Sequence, residues 1–148
     1  MATLYVGFKG NGNSSNKIVS NLTGEKLYLT NSYTGIRKDI ENIRNTYDAV
    51  YMFGLDKTLK GNIRIDCVAK RDDVYLYSDI DFDRIAEKLN ERGIITSIGN
   101  APKQSLCNEA YWLMLKKYNC HVIFLHVPSI KFITESFIER VQTALIRK

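Results

Sequence analysis

Cysteine is scarce: there are three, an odd number that intrachain bridges cannot use up. The start, Met1-Ala2-Thr3-Leu4-Tyr5-Val6, has neither the basic lead nor the long apolar segment of a secretory signal. Both absences point to a reducing compartment, the cytoplasm, and to a fold without disulfide staples. Long hydrophobic runs are missing as well. The longest, such as Val122-Ile123-Phe124-Leu125, fall far short of a bilayer span, so a soluble protein with no membrane partner is expected. No stretch is polar and repetitive enough to stay disordered, and neither a repeat nor a linker interrupts the chain. Basic residues outnumber acidic ones, 21 to 16, for a formal net charge of +5. They are dispersed rather than gathered into a stripe, which leaves no footprint for nucleic acid. Pairs such as Lys116-Lys117 and Arg147-Lys148 read as a solvated helix face and as cations at a helix C-terminus.

What is present suffices for one core. At 148 residues and 45% hydrophobic content, a single domain over 1–148 is expected. Short apolar runs bounded by turn residues predict strands at 3–8, 26–30, 49–53, 63–69, 94–98 and 121–127. Longer segments with helical periodicity predict helices at 16–22, 34–46, 82–92, 106–118 and 131–146. Segment 72–81 reads equally as a short strand or a packed connection. Alternation of this kind requires crossovers and predicts an α/β fold with a mostly parallel sheet covered by helices on both faces. Ligands of such sheets bind beyond the strand carboxyl ends, which singles out the loops 7–15, 54–62 and 99–106.

Within the last of these loops the chain feeds a helix whose start carries Cys107. Unpaired amides at a helix start favour a thiolate and can hold a developing oxyanion, so Cys107 is a chemically sensible nucleophile. It also shares helical spacing with Ala110, Tyr111, Met114 and Tyr118, which reads as a small apolar residue on a buried face. His126 ends the next strand, before Val127-Pro128. A strand–helix–strand unit brings the helix start and that strand end to one edge, where Cys107 and His126 can meet.

Other signals are weaker. The glycine-rich loop 7–15 lacks the Lys-Ser/Thr ending of a phosphate-binding loop, and Ser15 stands where a dinucleotide fingerprint needs its third glycine. Cys120 and His121 are adjacent and point to opposite strand faces, as do His121 and His126, so no metal site is expected. Trp112, Tyr111 and the stripe Phe132, Ile133, Phe137, Ile138 and Val141 read as helix packing.

Four segments carry a family likeness. Lys88-Leu89-Asn90-Glu91-Arg92-Gly93-Ile94, Ser97-Ile98-Gly99-Asn100, Leu106-Cys107-Asn108 and Phe124-Leu125-His126-Val127-Pro128 occur in that order. They resemble the pattern of pyroglutamyl peptidase I, also called pyrrolidone-carboxylate peptidase. That family has a helix ending in Gly-Ile, a Ser-Asn-Thr-Ala-Gly-Thr loop, a Cys-Asn helix start and a Phe-Ile-His-Val-Pro strand. The likeness covers about the last half of the chain. Earlier, Gly7-Phe8 matches the Gly-Phe opening the family's substrate loop, Asn13-Ser14-Ser15 stands for its Asn-Pro-Ser, and Gly54-Leu55 follows a strand where the family has a glycine-rich arginine loop. Asp66-Cys67-Val68-Ala69 stands for Glu-Arg-Val-Ala, so the family's catalytic glutamate is replaced by the shorter Asp66.

The resemblance implies a three-layer α/β/α sandwich of the phosphorylase/hydrolase-like kind. It also implies a cytoplasmic cysteine peptidase needing no metal or cofactor, and a homo-oligomer, dimer or tetramer. The implied substrate is a peptide whose N-terminus is blocked by pyroglutamate or a related group. Cys107 would form the acyl-enzyme, His126 would serve as acid and base, and Asp66 would orient it. Gly7, Phe8, Asn13, Gly54, Leu55 and Asn100 would bind substrate. The chain departs from the pattern at Asp66, in the loop after Gly54, and in the shortened polar segment after the Asp66 strand. A hydrolase with altered pyroglutamyl preference is the leading expectation, and an inactive relative that serves as a binding domain is the alternative.

Overall fold

The computed structural model of the protein describes residues 2–146; Met1 and the pair Arg147-Lys148, read above as helix C-terminal cations, lie outside the described residues. Among the described residues, eight strands and five α-helices follow in the order β1 (Thr3–Phe8), α1 (Ser14–Asn21), β2 (Glu25–Leu29), α2 (Tyr33–Glu41), β3 (Ala49–Leu55), β4 (Ile63–Asp66), β5 (Val68–Arg71), β6 (Val74–Tyr77), α3 (Phe82–Glu91), β7 (Thr96–Gly99), α4 (Leu106–Lys117), β8 (Val122–Val127) and α5 (Glu135–Ile146). Six strands form one sheet in the order β2-β1-β3-β8-β4-β7. Neighbours are parallel throughout except where β4 meets β8, so β4 and β7 run against the other four.

The alternation of side chains along each strand divides the interior into two halves. Ile63 and Ile65 of β4 and Ile123, Leu125 and Val127 of β8 pack with α1, α3 and α5. Val122 and Phe124 of β8, with Val50 and Met52 of β3, pack with α2 and α4. The result is the expected three-layer α/β/α sandwich around a mostly parallel sheet. Each fully buried Ile, Leu or Phe contributes about 1.5–3 kcal/mol by leaving water. By the same two-residue period, Arg64, Asp66 and His126 fall on the α2/α4 face.

Several boundaries differ from the sequence expectation for identifiable reasons. The run 63–69 breaks at Cys67, because β4 belongs to the main sheet whereas β5 pairs with β6 in a separate antiparallel hairpin. That hairpin turns at Asp72, whose φ of 52° is the left-handed conformation tolerated by aspartate, and it settles segment 72–81 as containing a strand. Helix α2 stops at Glu41, beyond which Ile43 and Tyr47 pack on the core from an irregular segment. At the C-terminal helix, Ile130–Phe132 form a 3₁₀ turn. The α-helix begins only after Thr134, whose hydroxyl accepts the Phe137 N–H at 3.1 Å. Among the described residues no helix is long and apolar enough to cross a membrane.

Candidate active site

Strand register delivers the polar residues of the α2/α4 face to one place. Gly54 of β3 pairs with His126 of β8, and across the antiparallel junction Arg64 pairs with His126 while Asp66 pairs with Phe124. Above them starts α4, capped by Ser105, whose hydroxyl accepts the Asn108 N–H at 3.1 Å. This fixes Cys107 in the first turn. The helix is tied down by the Asn108 carboxamide, which accepts from the Lys70 N–H at 3.0 Å and donates to the Lys70 carbonyl at 2.7 Å. Tyr111 adds a tie by donating to the Asp66 carbonyl at 2.7 Å.

Cys107, His126 and Asp66 line a single cavity of about 400 Å³, together with Asn100, Arg64 and Asp56. Its apolar wall includes Val68, Tyr111 and Phe124. His126 lies against the Phe124 ring, with centroids 4.7 Å apart, and Phe124 in turn meets Tyr111 at 5.5 Å. The imidazole is therefore held by packing. Its Nδ1 is 2.8 Å from Asp66 Oδ2, an ion-pair distance. The contact favours the ionised form of Asp66 both by hydrogen bonding and by charge.

A run of alternating charges continues away from the histidine. Arg64 Nε donates to Asp66 Oδ1 at 2.9 Å, and Arg64 Nη1 donates to Asp56 Oδ2 at 2.7 Å. Asp56 Oδ1 accepts from the Thr58 amide at 2.9 Å and its hydroxyl at 2.6 Å. Burial pushes the Asp66 carboxyl up, but His126 and Arg64 together outweigh it and hold the carboxyl below its ordinary value. For Asp56 the same opposition, burial against Thr58 and Arg64, ends at about 2. Both groups are carboxylates at neutral pH. The thiol behaves differently. Burial, reinforced by the negative charge of Asp66, pushes Cys107 up to about 12, against the thiolate-favouring influence expected of a helix start.

Two glycines make room for this arrangement. A Cβ on Gly54 would stand 2.7 Å from the Phe124 ring and 2.9 Å from Cys107 Sγ. On Gly99, which faces Asp66 across the β4–β7 pair, it would stand 2.5 Å from Asp66 Oδ1. Because Phe124 is buried and packed against Tyr111 and His126, which would have to shift with it, Gly54→Ala is expected to lower stability by about 1–3 kcal/mol. A urea unfolding midpoint checks this.

Of the residues singled out by sequence, Cys107, His126, Asp66 and Asn100 share the cavity, and Gly54 does not line it but lies beside the Cys107 sulfur. Leu55, Gly7, Phe8 and Asn13 do not line it. Leu55 sits at the end of β3 opposite Val127. Gly7 packs on the α1 backbone near Ser15, Phe8 is buried in the core, and Asn13 caps α1 by accepting the Ser15 N–H at 2.9 Å. Arg64 escaped sequence reasoning, and Asp56 and Gly99 are reached by it only as members of the loops 54–62 and 99–106. The signal was there for Arg64: in Ile63-Arg64-Ile65-Asp66 two charges alternate with two buried isoleucines, which puts both on one strand face. Among the described residues no group of three His, Cys, Asp or Glu side chains is placed to hold a metal ion.

No family profile and no curated protein sequence matches the chain. Solved structures do. Pyrrolidone carboxyl peptidase from Thermus thermophilus superposes with a TM-score of 0.83 at 19% identity, over 97% of this chain and 98% of the other. The enzyme of that name from Fervidobacterium islandicum gives 0.78 at 20% identity, over 98% and 94%. The one from Thermococcus litoralis gives 0.76 at 16% identity, over 97% and 91%. The chain thus has the fold of the pyrrolidone carboxyl peptidases, and at such identities it is the fold that the likeness establishes.

Proposed function

We propose that this chain is a cysteine peptidase of the pyroglutamyl peptidase type, removing pyroglutamate or a related uncharged group from the N-terminus of a peptide without metal or cofactor. The observation that carries the reading is the convergence of Cys107, His126 and Asp66 on one cavity of ligand size. Cys107 Sγ attacks the carbonyl carbon of the blocked residue, and the thiol proton passes to His126. The oxyanion meets the Leu106 and Cys107 amides at the start of α4, which helix geometry leaves without intrahelical partners and the Ser105 cap does not use. Collapse of this adduct expels the peptide amine, which takes its proton from His126, and leaves a thioester on Cys107. Water, deprotonated by His126, then cleaves the thioester, releasing the free acid and returning the proton to sulfur. The Asp66 carboxylate offsets the positive charge that His126 carries between these steps, and Arg64 with Asp56 keeps that carboxylate ionised and in place.

The acyl group would rest on Val68, Tyr111 and Phe124 with Asn100 as a polar contact. The segments matching the family's substrate loop, at Gly7, Phe8 and Asn13, lie outside this cavity, which is why the accepted group is drawn broadly. The raised thiol favours the second reading, an inactive relative acting as a binding domain. Release of arylamine from a pyroglutamyl arylamide, with the Cys107 thioester caught by mass spectrometry after acid quench, decides between them. No release and no adduct would leave the binding domain standing.

A further inference from the structure

A second cavity of about 310 Å³ adjoins the first and shares Pro102, Lys103, Ser105 and Asn108 with it. The two are therefore neighbouring rooms around the loop that leads into α4. Their charges differ. Around the first, Arg64 and the shared Lys103 balance Asp56 and Asp66, with Arg64 paired directly to both carboxylates. In the second, Lys70, Arg71 and Lys103 face Asp72 and Glu109. Glu109 is already held by Arg71 at 2.7 Å and by Arg37 at 3.5 Å, so one carboxylate there is shared by two guanidinium groups. Arg71 is further fixed over the Trp112 ring at 5.4 Å, and Lys70 lies over Tyr75 at 5.3 Å. Three lining cations thus stand against two carboxylates, and because Glu109 is taken up by the guanidinium groups, Lys70 and Lys103 face only Asp72 in a recess that shares a wall with the Cys107 cavity.

We propose that this second cavity is a cationic subsite for a carboxylate on the leaving part of the peptide, so that substrates with a negative charge downstream of the blocked residue are preferred. The inference rests on the peptidase reading and specifies its substrate class. A blocked, uncharged end sits in the balanced cavity while the downstream carboxylate is drawn to Lys103 and Lys70. The carboxylate comes either from the free C-terminus of a very short peptide or from an acidic side chain.

Two substrate pairs separate these sources: pyroglutamyl-alanine against its C-terminal amide, and pyroglutamyl-glutamate amide against pyroglutamyl-glutamine amide. With the full chain at low ionic strength, the carboxylate-bearing member of at least one pair is expected to show kcat/KM about three- to tenfold higher, carried by KM. The ratio narrows toward one in about 0.5 M salt and in Lys103→Gln. A difference in the first pair alone identifies the terminal carboxylate, and one in the second identifies an acidic side chain. Equal kcat/KM within both pairs overturns the subsite. Should none of the four be hydrolysed, the peptidase reading falls, and calorimetric titration of the same peptides then judges the subsite separately. Tighter binding of the carboxylate members, lost in Lys103→Gln, supports it; equal binding or none overturns it.

Discussion

Cys107→Ser is expected to abolish release of arylamine from a pyroglutamyl arylamide, by at least about a thousandfold in kcat, because a hydroxyl at this site is a far weaker nucleophile than sulfur and the steps act as a unit. The same substitution should leave the urea midpoint nearly unchanged, since Cys107 is at the margin of the core and serine differs from it by one atom. Turnover that survives the change would remove Cys107 from the mechanism. The wild-type thiol supplies a companion measurement. With burial and Asp66 pushing it up to about 12, the thiolate fraction grows about tenfold with each unit of pH through the neutral and mildly alkaline range. Iodoacetamide labelling of Cys107, read by peptide mapping so that Cys67 and Cys120 are counted apart, should climb accordingly without levelling off below pH ~10. A plateau near neutrality would mean a preformed ion pair with His126, and the proton transfer proposed to accompany substrate arrival would have to be replaced.

Asp66→Asn is expected to lower kcat by about 10²–10⁴-fold, the loss found when the carboxylate behind a catalytic histidine is neutralised. The asparagine keeps the shape but cannot offset the charge on His126, and it leaves Arg64 facing Asp56 alone. The same change should speed alkylation of Cys107. After burial, the Asp66 charge is the largest influence holding the thiol protonated, and its removal favours the thiolate. Slower turnover with faster labelling is a signature that mere loss of structure does not produce. Asp66→Glu, which restores the residue type of the resembled family, should recover a large part of the kcat lost in Asp66→Asn, because it returns a negative charge beside the His126 ring. If the asparagine variant turns over at the wild-type rate, Asp66 has no part in catalysis.

The two halves of the core were readable from period alone. Ile123, Leu125 and Val127 alternate with Val122, Phe124 and His126, and the apolar stripes of α4 and α5 have helical spacing, so each element announces which of its faces is covered. The placement of Cys107 at a helix start and His126 at a strand end follows from the same local rules. So does the expectation that both lie at one edge of the sheet.

The pairing of strands distant in the chain is a different matter. Nothing in Ile63-Arg64-Ile65-Asp66 says that this strand runs against β8, yet that direction is what sets Asp66 beside Phe124 and within 2.8 Å of His126. Nor does the run 63–69 reveal that it splits at Cys67 and sends β5 off to pair with β6, which lays Lys70 and Arg71 beside α4. Periodicity is a property of neighbouring residues and records the face on which each side chain lies. Strand order, strand direction and the loops that close a cavity depend on contacts between segments far apart in the chain, where many pairings satisfy the same pattern and the packed whole selects one.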